Sequence, residues 1–518
     1  MTRDELYKKI WNSANSWRGT IDGYDTRVYV LTTLFYRYIS EHLTKVINDE
    51  ALKDGLKDWD YAQLKDEEIN DEQAQGIIDD YGFFLKPSQL FENVFKSAEV
   101  DEENFNIRIN DAIKTLEDSN RSHNDGEDIV GLFEGYDVNS IKLGSTVTER
   151  NRTLKKIFNE VASWPLDSFS DNKDDIFGEA YMFLISTYAA NAGKSGGEFF
   201  TPAEVSTLVA KLGLVNKEKV ESVYDPTCGS GSLLLKPIKI LGKDNVGELY
   251  GQDKNLTTYN LCRMNMWLHG ISPEKFHIKH GDTLIDPKFD PEDNNYKFDL
   301  IVSNPPYSIK WEGKKNPLLI NDIRYSPAGV LAPSSKADWA FVMHSLSHLK
   351  NDGTGVFIMF PGALYRSGDE AKIRKYLIDK NFIDAVIQLP ENLFFGTSIS
   401  TCILVLKKNK NTNDFVFIDA SKEFVKVTKD NQLSDQNIEN ILKLYTDRKN
   451  IDHLVTVASL EDLKNKDYNL SVNAYVTKED TKEKIDIKKL NAELKEIVAR
   501  QDELRKKIDE IILELEGE

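Results

Sequence analysis

Between residues 28 and 46 apolar side chains recur every three or four positions: Val28, Leu31, Phe35, Tyr38, Ile39 and Val46, with His42 in the same row. That spacing puts them on one face of a helix. The pattern keeps this character to about residue 163 and predicts a helical N-terminal domain. Residues 48–80 are acidic and read as loop-rich. Residues 77–95 carry aromatics around Lys86-Pro87-Ser88, which predicts a packed turn between helices. No catalytic constellation is visible in this part.

From residue 221 the pattern changes to short apolar runs at 222–225, 248–253, 275–280, 298–303, 355–360, 383–388 and 401–406. Segments between them, such as 254–268 and 340–350, have helical spacing. Seven strands alternating with helices predict a doubly wound α/β sheet. Residues 308–336 are polar, with Lys314-Lys315-Asn316-Pro317 and Ser326-Pro327, and read as a mobile loop. At the C-terminus Ile487, Leu490, Leu494, Ile497, Gln501, Leu504, Ile508, Ile511 and Leu515 alternate spacings of three and four. This is a heptad seam. It either packs on its own domain or joins a helix of another protein, and its narrowness favours the second. The predicted division is 1–165 helical, 166–478 α/β, and 479–518 a docking helix.

The chemistry concentrates at the ends of the predicted strands. Asn304-Pro305-Pro306-Tyr307 follows the fourth. An amide nitrogen or a base amine is a poor nucleophile because its lone pair is delocalised. Two acceptors that take its hydrogens can hold it out of its resonance plane. The Asn304 side-chain carbonyl and the Pro305 main-chain carbonyl are two such acceptors. Pro305 and Pro306 restrict the backbone between them, and Tyr307 offers a flat face for a planar substrate. Taken alone, the tetrapeptide also reads as a rigid turn after a buried strand.

Three more features make the site reading the stronger one. Asp225-Pro226-Thr227-Cys228-Gly229-Ser230-Gly231-Ser232 closes the first strand and opens a helix, so backbone N–H groups face a ligand closely approached at the glycines. Asp253 ends the second strand, where a carboxylate accepts from ribose hydroxyls. Asp282 follows the third and is placed to accept from an adenine amine. Four strand ends in a row predict a nucleoside-cofactor crevice. The turn lacks the full dinucleotide spacing G-x-G-x-x-G. Beside an activated amine, the methyl donor S-adenosylmethionine completes a reaction and a hydride donor does not. Upstream, Glu198-Phe199-Phe200-Thr201-Pro202-Ala203 offers aromatic surface and a helix start to close over the cofactor; it also reads as a plain capping loop. Gly193-Lys194-Ser195 is not a P-loop, since position 188 is Tyr.

Length and charge narrow the picture further. A chain of 518 residues, 40% hydrophobic and 29% charged, is an ordinary globular protein of two or three domains. No apolar run approaches membrane-spanning length, and the charged start Met1-Thr2-Arg3-Asp4-Glu5 predicts no signal peptide. Cys228, Cys262 and Cys402 have no metal or redox spacing, which predicts a reducing cytoplasm and no metal site. The net charge of −19 opposes phosphate binding, so a DNA substrate requires another subunit for much of the grip.

These residues resemble the amino-methyltransferases of DNA, with motifs in the gamma order: Phe199–Pro202, then the 225–231 turn, then 304–307. More narrowly, the chain resembles the modification subunit of type I restriction-modification systems. Trp17-Arg18-Gly19, Pro87-Ser88-Gln89-Leu90-Phe91, Lys336-Ala337-Asp338-Trp339-Ala340-Phe341, Leu389-Pro390-Glu391-Asn392-Leu393-Phe394 with Gly396-Thr397, and Asp467-Tyr468-Asn469-Leu470-Ser471 carry that likeness. The resemblance covers most of the chain. It implies a Rossmann-like methyltransferase domain and transfer of methyl from S-adenosylmethionine to adenine N6 in DNA, on a flipped-out base. Asn304 and Pro305 would accept from the amine, Pro306 would stiffen the turn, and Tyr307 would stack on the base. Residues 198–203, Asp225, Gly229, Ser230, Gly231, Ser232, Asp253 and Asp282 would contact the cofactor. The implied partners are a specificity subunit, flanked by two copies of this chain, and a restriction subunit. Glutamine methyltransferases of release factors share the tetrapeptide but are shorter. Cytosine N4 is a further target, although that site more often begins with Ser. A non-catalytic assembly subunit is argued against by the intact Asn304, Asp225 and Asp253.

Overall fold

The computed structural model describes residues 3–16, 23–121, 129–166, 173–191, 201–394, 398–427, 430–477 and 487–517. It divides into two compact units, Met1–Val476 and Thr477–Glu518.

The first unit opens with helices α1 (Arg3–Ser16), α2 (Gly23–Lys53), α3 (Asp71–Tyr81), α4 (Phe91–Val100), α5 (Phe105–Arg121), α6 (Val147–Ala162) and α7 (Lys173–Asn191). The apolar row read from the sequence lies in α2. Aromatic residues make the core here: Phe158 stacks on Phe91 at 5.0 Å and meets Phe105 edge-on. Buried Arg37 donates to the Val161 and Trp164 carbonyls at 2.7 and 2.8 Å. Both carbonyls, at and just past the end of α6, also take main-chain donors from the turn that follows, Trp164 N and Leu166 N. The acidic stretch 48–80 is less loop-like than its composition suggests. Asn70 and Gln73 form a reciprocal capping box for α3, and Gly82 ends it in the left-handed region.

The helical layer is not a free-standing bundle. Phe83 meets Trp267 edge-on at 6.0 Å, Tyr181 Oη donates to the Leu261 carbonyl, and Asn260 Nδ2 donates to Gly131 O at 2.8 Å. All three contacts bind it to one helix of the α/β part.

That part is a sheet with order β11-β8-β6-β7-β5-β4-β1-β2-β3. Its strands are β1 (Val220–Asp225), β2 (Val246–Asp253), β3 (Phe276–His280), β4 (Phe298–Ser303), β5 (Leu349–Met359), β6 (Ile383–Gln388), β7 (Cys402–Lys407), β8 (Asp414–Asp419) and β11 (Val455–Ser459). Between β8 and β11, β9 (Val425–Val427) and β10 (Asp430–Gln432) form a separate hairpin. All seven predicted strands are present, and the sheet runs on to nine. β7 is antiparallel to β5 and β6, and β11 is antiparallel to β8. The remaining pairs are parallel. Central strands are apolar almost throughout because helices cover both faces. Helices α8 (Ala203–Gly213), α9 (Ser232–Leu241), α10 (Leu256–Leu268), α11 (Asp338–His348), α12 (Asp369–Asp379), α13 (Asp435–Asp447) and α14 (Leu460–Asn465) complete the unit. α8 lies so close to β4 that a Cβ on Gly213 would sit 2.3 Å from Leu300 Cδ1. The chain builds β1, β2 and β3 outward and returns to β4 on the other side of β1. The strand order therefore reverses between β1 and β4, which opens a crevice at their carboxyl ends.

One expectation is corrected. Residues 308–336 are not a loose loop. Three short 3-10 turns fold over a core of Leu319, Tyr325, Leu331 and Ala332, and Trp311 Nε1 donates to Pro333 O. Buried Arg324 bonds both oxygens of Asp322 and the main-chain carbonyls of Thr283 and Leu284. A buried guanidinium with all its bonds made fixes the segment.

The second unit is one described helix, α15 (Ile487–Glu516), which carries the heptad seam with its apolar residues exposed. Among the described residues no helix is long and apolar enough to cross a membrane.

Replacing Arg324 should loosen 308–336 specifically. Arg324→Ala takes the donor from the Thr283 carbonyl, one of two donors from the Leu284 carbonyl, which keeps Tyr325 Oη, and the partner of the Asp322 carboxylate, at a cost on the order of 3 kcal/mol. Limited proteolysis should then cut between residues 309 and 336 while the wild-type chain stays intact there. Equal resistance of the two chains would show that Arg324 is not the anchor.

Candidate active site

The turn after β1 wraps back on itself at two left-handed glycines, Gly229 (φ 54) and Gly231 (φ 80). At Gly231 the positive φ already disfavours a side chain, and a Cβ would lie 2.6 Å from Met266 Cε and 2.8 Å from Cys262 Sγ, so these would have to shift. Asp253 at the end of β2 holds this turn from the side. Its Oδ2 accepts from Gly229 N at 3.0 Å, and its Oδ1 from Asn255 N at 2.8 Å and Thr258 Oγ1 at 2.7 Å. Burial raises the Asp253 carboxyl above the usual range, opposed by those donors.

Asp225 lies at the floor of the crevice. Its Oδ1 accepts from Thr227 N at 3.0 Å, and the Thr227 hydroxyl meets Ser303 Oγ on β4 at 2.8 Å. Burial pushes the Asp225 carboxyl up to about 7, the negative Asp253 adds to this, and the donors from Thr227 and Ser303 oppose it. Nearby, the buried Ser230 Oγ has no hydrogen-bond partner among the described residues. An acidic floor, open backbone conformations and an unsatisfied hydroxyl suit a polar, positively charged ligand.

Asn304 leaves β4 with its side-chain amide fixed at both ends. Nδ2 donates to Thr201 Oγ1 at 3.0 Å, and Oδ1 accepts from Tyr307 Oη at 2.9 Å. Pro305 is buried, while Asn304, Pro306 and Tyr307 are half-buried. Burial pushes the Tyr307 phenol up, so it stays a donor. Thr201 is buried just before α8. The structure thus brings a residue expected to touch the cofactor into contact with Asn304, across a gap of 103 positions.

Pro202 and Ala203 line a cavity of about 450 Å³ with Thr201, Ser232, Leu235 and Met182. Two predicted cofactor segments, 201–203 and the start of α9, therefore face one space. Glu198, Phe199 and Phe200 lie outside the described residues. Asp282, like Asp253, is engaged within the chain. Its Oδ2 takes a salt bridge from Lys254 at 2.8 Å and its Oδ1 accepts from Leu284 N. The next residue ties its loop to the crevice, Thr283 Oγ1 donating to Pro226 O at 2.6 Å.

Sequence reading missed Thr227, Ser303, Thr258 and Lys254, which hold the candidate carboxylates and turns. Their side chains carry no motif signal. Only Thr227 stood inside a segment read as part of the site; Ser303, Lys254 and Thr258 lay in runs read as a strand and a helix.

Comparison with known proteins gives concordant likenesses. The family model described as N-6 DNA Methylase matches residues 172–484, and the HsdM N-terminal domain model matches 6–161. The MpnII type I restriction enzyme methylase subunit of Mycoplasma pneumoniae is 47% identical over 99% of this chain and 96% of its own. A type I restriction-modification methyltransferase subunit from Streptococcus thermophilus is 35% identical, with a TM-score of 0.80 over 92% of this chain and 100% of its own. A chain from a structure of type I R-M complex assembly shares the fold: TM-score 0.62 and 17% identity over 98% of this chain and 99% of its own.

The Asp225 carboxyl generates a pH prediction. Its folded pKa lies above the unfolded value, so its stability contribution is complete at low pH and is lost as pH rises through about 7. Asn at this position accepts the same bonds without ionising. Asp225→Asn should therefore unfold at a higher temperature than wild type at pH 8.5, by a free-energy margin of at most about 4 kcal/mol. The margin should shrink towards pH 4. A margin independent of pH would remove Asp225 as its source.

Proposed function

Since this chain belongs to the type I restriction enzyme methylase subunits, which are N6-adenine DNA methyltransferases, we propose that Asn304, Pro305 and Tyr307 carry out its methyl transfer on a base flipped into the crevice. The observation that carries this reading is the placement of Asn304 at the strand-order reversal, its amide held by Thr201 and Tyr307. With Nδ2 engaged by Thr201, the Asn304 carbonyl is the end left to face an amine. That carbonyl and the Pro305 carbonyl accept the two N6 hydrogens, which concentrates the nitrogen lone pair for attack. The Tyr307 phenol uses one lone pair of Oδ1, and the second remains for the amine. The Tyr307 ring stacks on the base, and Pro306 keeps the two carbonyls in register.

The cofactor reading is S-adenosylmethionine, which supplies a methyl group on a positively charged sulfur. Asp253 would accept from its ribose, Asp282 from its adenine amine, and the Gly229–Ser232 turn with Thr201–Ala203 would hold the remainder. The unpartnered Ser230 hydroxyl and the acidic floor support this assignment.

The assignments of 1–165 to a helical domain, 166–478 to the methyltransferase domain and 479–518 to subunit docking belong to the same proposal. So does a cytoplasmic setting, supported by three free, buried cysteines. DNA is gripped through the assembly: a specificity subunit with two copies of this chain, joined by a restriction subunit for cleavage. A net charge of −19 and the exposed seam of α15, with Gln501 as a register-setting position, support that arrangement.

Asn304→Ala should abolish methyl transfer by the assembled enzyme while calorimetric affinity for S-adenosylmethionine stays near wild type. Parallel loss of both would contradict a role on the acceptor amine. Deleting residues 484–518 should prevent co-purification with the specificity subunit and leave cofactor binding intact. Assembly of the truncated chain, with methylation at the same sites, would exclude α15 as the docking element.

A further inference from the structure

The residue after the tetrapeptide is held in an unusual way. Ser308 has φ 52, in the left-handed region that side chains other than Gly rarely adopt. Two residues from distant parts of the chain hold it there. Asp338, the first residue of α11, accepts from Ser308 N through Oδ1 at 3.1 Å. Arg366, which follows the 3-10 turn after β5, donates to Ser308 Oγ through Nη2 at 3.1 Å. The next peptide is fixed as well, since Ala337 N donates to Ile309 O at 3.0 Å.

The clamp is itself braced. Arg366 Nη1 donates to Glu370 Oε1 at 3.4 Å and lies 3.6 Å from Asp338 Oδ2, and its guanidinium covers the Phe360 ring at 5.4 Å. A Cβ on Gly362 would lie 2.9 Å from Arg366 Nη2, so this guanidinium position depends on that glycine. Asp338 and Glu370 are buried. Two buried carboxylates around one guanidinium are a poor way to gain stability alone, since apolar packing does as well or better. What this group does provide is direction: it makes one main-chain N–H and one hydroxyl, both of Ser308, point to fixed places.

We propose that Asp338 and Arg366 are positioning residues for methyl transfer, holding Ser308 in its left-handed turn and so setting the angle of the Tyr307 ring and the Asn304 carbonyl. This rests on the acceptor-site reading of Asn304 and Tyr307. Neither Asp338 nor Arg366 touches the reacting atoms. Each acts through the backbone of the residue next to Tyr307, where a small displacement of the stacking face changes how far the amine stands from its acceptors. Such misplacement lowers kcat more than it alters cofactor binding.

The test uses the complex with the specificity subunit and unmethylated genomic DNA, following transfer of labelled methyl. Asp338→Ala, which removes the acceptor for Ser308 N–H, should lower kcat roughly tenfold or more, with calorimetric affinity for S-adenosylmethionine and the melting temperature near wild type. Ser308→Gly added to Asp338→Ala should restore most of kcat, because Gly adopts φ 52 without a clamp. A purely structural role predicts the reverse: kcat falling with the folded fraction, and no rescue by Gly. Unchanged kcat in Asp338→Ala, or no recovery in the double variant, overturns the proposal. If Asp338→Ala does not fold, Arg366→Lys decides by the same two readings, since it keeps the charge and loses the planar fork. Asn304→Ala is run beside them. If it stays active, the acceptor-site reading has failed; if it is inactive and Asp338→Ala is fully active, only the clamp has.

Discussion

The hydroxyl contact between Thr227 and Ser303 joins the two strands at which the sheet changes direction. β1 and β4 are neighbours in space but are separated in sequence by the whole of β2, α10 and β3. The reversal of strand order at this pair is what opens the crevice, and the hydroxyl contact ties the segments that leave its two sides. Asp225 beneath this tie links it to the glycine turn, and Asn304 follows Ser303 directly. The turn that suits a cofactor and the side chain that suits an amine are thus referred to one point.

Other parts of the molecule reach that point through short chains of bonds. Arg324 holds the carbonyl of Thr283, and the hydroxyl of Thr283 holds the carbonyl of Pro226 in the glycine turn. Arg324 also meets His344, whose other ring nitrogen bonds Tyr224 on β1. The inserted segment 308–336 is therefore part of the frame of the crevice. Its polar composition hides this, because its few apolar anchors, Leu319, Tyr325, Leu331 and Ala332, follow no periodicity and the buried guanidinium beside them reads as a surface residue.

The legible parts of this chain are those governed by local rules. Seven strands show as apolar runs because both faces of the sheet are covered. The glycine turn and the tetrapeptide show because backbone geometry restricts which residues stand there. β8 shows as the apolar run Phe415-Val416-Phe417-Ile418, although the lysine-rich stretch before it masks its start. β11 shows no such run, since a short edge strand is only partly covered and carries a mixed pattern. The bond from Asn304 to Thr201 and the grip of Arg324 on residues 283 and 284 join positions with no shared periodicity. Only the folded chain brings them together.

Asn304 in the free chain is already satisfied, with a hydroxyl at each end of its amide. On the proposed acceptor role this bears on which bases the crevice would accept. A base entering it would not meet a bare acceptor waiting to be filled. It would have to offer donors good enough to share an oxygen with a phenol in place. An exocyclic amine brings two N–H groups. A keto oxygen at the same position brings only lone pairs, which the proposal would set against the carbonyls of Asn304 and Pro305. Rejection of thymine and guanine would then come from like poles facing each other at this one edge, with no separate residue set aside to exclude them.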